Sequence, residues 1–139
     1  MKKLTTLLSA FAVCGTLFLA SCAKEEDPDP TDPTSSDPRA KFNGTWAVSE
    51  NSQQFGTSTY NVTVTDSSNT THVLIGYLYG FNKKTYATVS GNSISIPTQL
   101  IQGTNVSGGG SLVNSTQVNL TYYVNSGSTV DTVTAVLTK

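Results

Sequence analysis

The segment Ser58-Thr59-Tyr60-Asn61-Val62-Thr63-Val64-Thr65 decides the fold of this chain. Within it Tyr60, Val62 and Val64 alternate with polar residues, which is the period-two pattern of a strand with one buried face and one solvated face. The segment 117–125 repeats the pattern, with apolar or aromatic side chains at every second position: Val118, Leu120, Tyr122 and Val124. Two such segments in a domain rich in Thr, Ser, Asn and Val indicate an all-β, antiparallel fold.

Six further segments bring the expected number of strands to eight. They are 44–50, 72–79, 85–89, 93–96, 105–113 and 130–138. The breaks between them contain Gly, Asn, Asp and Ser, which form turns, and Gly91-Asn92 indicates a tight hairpin. No segment after residue 40 has a helical period. Short connections favour neighbouring antiparallel strands, so we expect an up-and-down β-barrel, with a two-sheet β-sandwich as the alternative.

The interior of such a barrel has little room. Eight strands enclose just enough space for their own side chains or for one small ligand. Inward positions are expected for nine large side chains: Tyr60, Ile75, Tyr77, Tyr86, Ile94, Ile96, Leu120, Tyr122 and Leu137. The run Ser107-Gly108-Gly109-Gly110-Ser111 is not followed by a helix or by a Lys-Ser/Thr pair. It therefore predicts a bulge or a bend at a barrel corner rather than a phosphate loop.

The run Lys41-Phe42-Asn43-Gly44-Thr45-Trp46 begins the first expected strand. Phe42, Gly44 and Trp46 resemble the Gly-x-Trp motif, with a preceding aromatic residue, that opens barrels of the lipocalin and calycin type. The resemblance implies a barrel plugged at one end by Trp46. The chain departs from that family because it lacks the later Thr-Asp-Tyr motif and has no arginine after Arg39 that could stack on Trp46. An ordinary core tryptophan explains Trp46 equally well.

The first 22 residues have the order of an export signal. Lys2 and Lys3 precede an apolar stretch at 4–20 that is shorter and more polar than a membrane span of about 20 residues. Its end, Leu19-Ala20-Ser21-Cys22, resembles the bacterial lipobox. That resemblance implies cleavage between Ser21 and Cys22 and attachment of diacylglycerol to the Cys22 sulfur. We expect residues 1–21 to be a signal peptide and Cys22 to be a membrane anchor, the alternatives being an ordinary signal peptide or a transmembrane anchor.

Residues 22–39 are expected to form a disordered tether between the lipidated cysteine and the barrel domain at 40–139. The tether holds four of the five prolines and six of the nine acidic residues, and it has no aromatic or branched aliphatic residue to bury. Its start, Lys24-Glu25-Glu26-Asp27, resembles the acidic signal that sends some Gram-negative lipoproteins to the cell surface. We therefore expect anchoring in the outer membrane with exposure at the cell surface, and a periplasmic-facing protein with a charged spacer is the alternative.

Few residues of the barrel domain could support catalysis. His72 is its only histidine, and Glu50, Asp66 and Asp131 are its only acidic side chains. A two-carboxylate hydrolase would need two of these three to converge. No Gly-x-Ser-x-Gly nucleophile motif is present. The sequence therefore favours a protein that is not an enzyme, and a hydrolase is the least favoured alternative.

Cofactor and metal chemistry are also not indicated. Cys14 would leave with the signal peptide and Cys22 would carry lipid, so no thiol remains for a disulfide, a metal or a nucleophile. A single histidine gives no metal-ligand spacing. Four lysines against three carboxylates, with no basic stripe, do not indicate a nucleic-acid partner. We expect a monomer without cofactor or metal.

Binding or a structural role remains. The first hypothesis is that the barrel binds a small hydrophobic molecule. The alternative is a surface module that binds glycans or proteins through Tyr77, Tyr79 and Tyr123, because tyrosine rings stack on sugars and anchor interfaces.

Overall fold

The computed structural model of the chain describes residues 36–139. The predictions for the signal peptide, for cleavage between Ser21 and Cys22, for lipidation of Cys22 and for most of the tether lie outside the described residues. Eight strands follow one another: β1 (Gly44–Ser52), β2 (Gly56–Asp66), β3 (His72–Gly76), β4 (Thr85–Ser90), β5 (Ser93–Ile101), β6 (Thr104–Asn114), β7 (Gln117–Asn125) and β8 (Val130–Thr138).

Every strand pairs antiparallel with the next one along the chain, and β8 pairs with β1, so the sheet closes into a barrel. The predicted all-β, eight-stranded, up-and-down barrel is confirmed, and the β-sandwich alternative is wrong because the β1–β8 ladder joins the two edges. Within residues 36–139 no helix has the length and apolar character needed to cross a membrane.

Two strands differ from their predicted bounds by three residues or more at one end, and each for a local reason. The predicted strand 72–79 ends at Gly76, because Tyr77 and Tyr79 have left-handed backbones with φ of 70° and 55° and a 3₁₀ turn follows at Leu78–Gly80. The predicted strand 93–96 continues as β5 to Ile101. Pro97 cannot donate to a ladder, but here the register shifts between Ile96 and Gln99, and a bulge tolerates proline.

The two ends of the barrel are different. We call the end formed by the turn 37–43 and the connections 67–71, 91–92 and 115–116 the closed end. Trp46 is fully buried near it, donates its indole N–H to the carbonyl oxygen of Phe42 at 2.7 Å, and lies 4.4 Å from the Lys139 ammonium. Lys139, directly after β8, therefore stacks on Trp46 in place of the arginine that the sequence lacks after Arg39.

Arg39 fixes the place where the chain enters the barrel. Its guanidinium pairs with Asp37 at 2.6 Å and donates to the carbonyl oxygens of Ser67 and Asn69 at 3.0 and 2.9 Å. These bonds join the turn 37–43 to the β2–β3 connection. The chain therefore enters at the closed end, opposite the connections 53–55, 77–84, 102–103 and 126–129, which we call the open end.

Seven of the nine side chains expected in the interior pack within or against the core: Tyr60, Ile75, Ile94, Ile96, Leu120, Tyr122 and Leu137. The prediction is wrong for Tyr77 and Tyr86, which are 51% and 38% exposed. Tyr86 faces solvent because β4 buries the residues on either side of it, Thr85 and Ala87. Tyr77 is turned out by its left-handed backbone after the end of β3.

The glycine run lies in β6, where that strand approaches β7 most closely. Gly108 pairs with Tyr122, and a Cβ on Gly108 would lie 2.5 Å from the Cα of Tyr122 and 2.6 Å from its Cβ. A Cβ on Gly110 would lie 2.8 Å from the Cα of Leu120. Only glycine permits this approach of the two strands. Gly108 also pairs with Ile96, so the β5 bulge lies beside the glycine run. The glycine run itself keeps regular register with β7, and the nearest bulge lies on the partner strand β5, between Ile96 and Gln99.

Candidate ligand-binding site

Two carboxylates point into the barrel. Glu50 on β1 is 6% exposed, and Asp131 on the neighbouring strand β8 is 3% exposed. Neither has a cationic partner in the part of the chain that the structure describes, where both ion pairs involve Arg39 at the closed end. A buried carboxylate without a counter-charge must be stabilised by hydrogen-bond donors.

Tyrosine hydroxyls stabilise Glu50. Tyr60 and Tyr122 donate to the same carboxylate oxygen, Oε2, at 2.6 and 2.5 Å, and Ser58 donates to Oε1 at 2.9 Å. Burial is the main cause that raises the pKa of Tyr60, and the hydrogen bond to Glu50 raises it further. Burial is also the main cause that raises the pKa of Tyr122, and the neighbouring Tyr60 and Glu50 raise it further. Both hydroxyls therefore stay protonated and act as donors at neutral pH.

Asp131 is held by groups at the open end. Its Oδ2 accepts hydrogen bonds from the Ser52 hydroxyl at 2.5 Å and the Tyr79 hydroxyl at 2.8 Å, and its Oδ1 accepts the Gln54 amide at 3.2 Å. Burial alone would raise the pKa of Asp131, but the bonds from Ser52, Tyr79 and the backbone lower it below its ordinary value. Asp131 is therefore an anion at neutral pH.

A cavity of about 270 Å³ opens at this end of the barrel, and we call it the mouth site. It combines aromatic rings, hydroxyls and one carboxylate, and its lining is Gln54, Phe55, Tyr79, Phe81, Thr104, Val124, Ser126, Thr129 and Asp131. Its volume is just below the usual range of about 300 to 1,000 Å³ for ligand sites. The mouth site thus has room for a molecule built on a single ring.

Three rings form one wall of the mouth site. The Tyr79 ring lies between the other two, with centroid distances of 6.4 Å to Phe55 and 5.4 Å to Phe81. Phe55 is 77% exposed and stands at the rim, whereas the buried Asp131 lies at the base. The three rings therefore line the cavity between its solvent-exposed rim and the carboxylate of Asp131.

Two tyrosines of the interior pack against Tyr79 of the mouth site. Tyr122 packs edge-to-face against Tyr79 at 6.1 Å, and the hydroxyl of Tyr60 accepts the backbone N–H of Tyr79 at 2.9 Å. Two larger depressions, of about 380 and 420 Å³, lie against β1 and its neighbours and are lined mainly by exposed polar residues of the outer wall. Neither has an aromatic wall and a buried anion together, so the mouth site is the better candidate.

The backbone at the mouth site is strained. Tyr77 and Tyr79 have positive φ values although neither is glycine, and this conformation costs about 1 to 3 kcal/mol for each such residue. The bond from the Tyr79 N–H to Tyr60 and the bond from its hydroxyl to Asp131 hold Tyr79 in this conformation. Strain of this kind is concentrated at functional sites.

The three tyrosines singled out from the sequence do not converge. Tyr79 lines the mouth site, and Tyr77 is exposed beside it with its ring 6.1 Å from that of Tyr60. Tyr123 is 44% exposed on the outer wall of β7. Sequence reasoning missed Phe55 and Phe81. The available signal was their position, because connections between strands lie at the surface and often carry binding residues.

The other candidate residues lie elsewhere. Asp66 ends β2 at the closed end, where its carboxylate accepts the Asn43 amide at 2.8 Å, far along the strand from the mouth site. His72 begins β3, and its ring lies 5.7 Å from that of Tyr86. Among residues 36–139 no three His, Cys, Asp or Glu side chains are grouped so that they could hold a metal ion.

No protein-family model matches this chain, and no curated protein matches it by sequence. Among the solved structures that resemble its fold are two β-barrels. A redesigned β-barrel, b11L5F_LGL, has a TM-score of 0.57 and 15% identity over 76% of this chain and 96% of its own. A structure of EF1p2_mFAP2b bound to DFHBI has a TM-score of 0.52 and 18% identity over 75% of this chain and 99% of its own. At these identities the similarity establishes the barrel fold.

Proposed function

We propose that this protein is an outer-membrane lipoprotein whose barrel binds a small molecule at the mouth site. The observation that carries the binding proposal is the cavity at the open end, with three rings along one wall and the ionised Asp131 at its base. The fold is compatible with this role, since EF1p2_mFAP2b, a barrel of similar fold, has been solved bound to DFHBI. The volume of the cavity favours a ligand with one ring rather than a long acyl chain.

The anchoring part of the proposal rests on the sequence. Cys22 closes a lipobox-like run and is followed by an acidic tether, which supports lipidation and export to the cell surface. Because Arg39 fixes the entry of the chain at the closed end, the mouth site lies at the opposite end of the barrel.

We also propose that the barrel is of the lipocalin-like type. This is supported by Trp46, which is buried near the closed end, capped by the carbonyl of Phe42 and stacked by Lys139. We assign no catalysis to the barrel, since Glu50 and Asp131 each serve as acceptors for protein donors.

Anchoring is tested in cells. Metabolic labelling with an alkyne fatty acid should mark the wild-type protein and not the Cys22→Ser variant, and protease added to intact cells should remove the barrel. Absence of label would refute the lipoprotein proposal, and protection from protease would assign the protein to the periplasmic face.

Binding is tested on the full lipidated chain in lipid nanodiscs. A thermal-shift screen of one-ring compounds and monosaccharides should raise the melting temperature, because a ligand at 100 times its Kd adds about 2.7 kcal/mol of stability. The shift should be lost in Phe55→Ala and kept in Tyr123→Ala, in which a tyrosine of the outer wall is changed. A shift lost only in Tyr123→Ala would favour the surface glycan module instead, and no shift with any compound would refute binding.

A further inference from the structure

Within residues 36–139 no cationic side chain pairs with the two buried carboxylates of the barrel interior. Glu50 and Asp131 are both buried, and the ion pairs within residues 36–139 belong to Arg39 at the closed end. Lys83 and Lys84 are exposed on the connection 77–84 and do not line the mouth site. A cleft with low-dielectric walls focuses the field of buried charges toward its opening. The mouth site is therefore attractive to a cation.

Asp131 has capacity for another hydrogen bond. A carboxylate offers about four acceptor positions. Two donors, Ser52 and Tyr79, engage Oδ2, whereas Oδ1 accepts the backbone N–H of Gln54 at the long distance of 3.2 Å; the backbone N–H of Gln53 also lies near the carboxylate. Oδ1 can therefore accept an N–H of a ligand without displacing a protein donor.

The walls suit an organic cation better than a neutral sugar. Aromatic faces attract cations, and the rings of Phe55, Tyr79 and Phe81 stand side by side next to Asp131. Hydroxyls of Thr104, Ser126 and Thr129 line the same cavity and can accept further N–H groups. A neutral sugar could use the hydroxyls and one ring face, but it would gain nothing from the uncompensated charge.

We propose that the mouth site recognises an organic ammonium or guanidinium group attached to one flat ring, with Asp131 as the anionic partner and Phe55, Tyr79 and Phe81 as the aromatic wall. This inference rests on the proposed function, because it names the class of ligand for the same cavity. A cavity of about 270 Å³ accommodates one ring with a short cationic arm.

The test uses three probes that share a phenyl ring and a short side arm: 2-phenylethylammonium, 2-phenylethanol and phenylacetate. Isothermal titration of the full lipidated chain in nanodiscs at neutral pH should show the ammonium binding at least about ten-fold more tightly than the alcohol, since one partly screened charge pair exceeds that factor. Phenylacetate should not bind.

Two matched variants isolate the charge. Asp131→Asn keeps an acceptor for the backbone N–H of Gln54 and should weaken ammonium binding at least about ten-fold more than alcohol binding. Asp66→Asn makes the same charge change at the closed end and should alter neither. Phe55→Leu removes an exposed ring without touching the core, and it should weaken the ammonium about two- to five-fold more than the alcohol.

The outcomes separate the inference from the proposed function. Equal binding of ammonium and alcohol, or binding of monosaccharides alone, would overturn the inference and leave a mouth site that binds neutral molecules. Ammonium binding unchanged in Asp131→Asn would also overturn it. If Asp131→Asn fails to fold, Phe55→Leu decides, because an equal loss for ammonium and alcohol excludes recognition of the cation by the ring. No binding of any probe or sugar would refute the proposed function itself.

Discussion

Replacing Tyr122 with phenylalanine tests whether the buried carboxylate depends on the tyrosine hydroxyls. Tyr122 is fully buried and donates to Glu50 at 2.5 Å. The variant keeps the ring, so the packing against Tyr79 stays and no large cavity forms. It removes one of the two hydroxyls that donate to Oε2 of Glu50, leaving that oxygen with Tyr60 alone.

The expected cost follows from the charge of the acceptor. A hydrogen bond to a charged group contributes about 1.5 to 3 kcal/mol, so Tyr122→Phe should lower the free energy of unfolding by about 2 kcal/mol. For a barrel of about 100 residues each kcal/mol moves the melting temperature by about 4 to 8 °C, which gives a loss of about 8 to 16 °C. The loss is large enough to measure reliably.

Urea denaturation followed by circular dichroism measures the change, and an unaltered slope with denaturant would show that only stability changed. Tyr123→Phe is the matched control, because Tyr123 is the next residue on β7, faces solvent, and makes no side-chain hydrogen bond within residues 36–139. It should change stability by less than about 0.5 kcal/mol. In the double variant with Glu50→Gln the costs should fail to add, since the two residues share one bond. Additive costs, or equal costs for Tyr122→Phe and Tyr123→Phe, would refute the reasoning.

Three further perturbations have definite expected outcomes. Gly110→Ala should destabilise the barrel by about 1 to 3 kcal/mol or prevent folding, whereas Gly76→Ala, whose Cβ would meet its nearest neighbour at 3.5 Å, should be nearly neutral in urea denaturation. The folded pKa of Asp131 lies below its ordinary value of 3.8. The stability that ionised Asp131 contributes is therefore fully present above about pH 3.8 and is lost as the pH falls through the folded pKa. Asp131→Asn should flatten the acid side of a plot of melting temperature against pH. Lys139→Met should cost less than about 1 kcal/mol and change the fluorescence of Trp46.

The sequence predicted the faces of the strands better than their extent. Alternation assigned the inward and outward residues of β7, and the bounds of β7 and β8 were correct. The predicted extent of β5 was wrong, because proline normally ends a strand and Pro97 is tolerated only at a bulge. That bulge depends on the pairing of β5 with β6, which the local sequence does not specify. The prediction also failed after Gly76, because the left-handed conformations of Tyr77 and Tyr79 are imposed by tertiary contacts rather than by residue preference.

The candidate site was harder to predict because it is assembled by barrel closure. Glu50 and Tyr122 are 72 residues apart, and Tyr79 and Asp131 are 52 apart. Only the register between β1 and β8 brings Asp131 beside Ser52, and local alternation does not specify that register. The sequence narrowed the acidic candidates to three, and the closure of the barrel selected the two that share its interior.

Tyr60 connects the stabilising part of the interior to the mouth site. Its hydroxyl donates to Glu50 and accepts the N–H of Tyr79, whose own hydroxyl donates to Asp131. Tyr60→Phe removes both bonds at once, so it should lower stability as Tyr122→Phe does and should also weaken binding at the mouth site, because Tyr79 loses a support for its strained backbone. Tyr122→Phe should lower stability alone. Titration of both variants with 2-phenylethylammonium, at a temperature where both remain folded, measures the difference in affinity. Equal affinities would mean that the position of Tyr79 does not depend on its hydrogen bond to Tyr60.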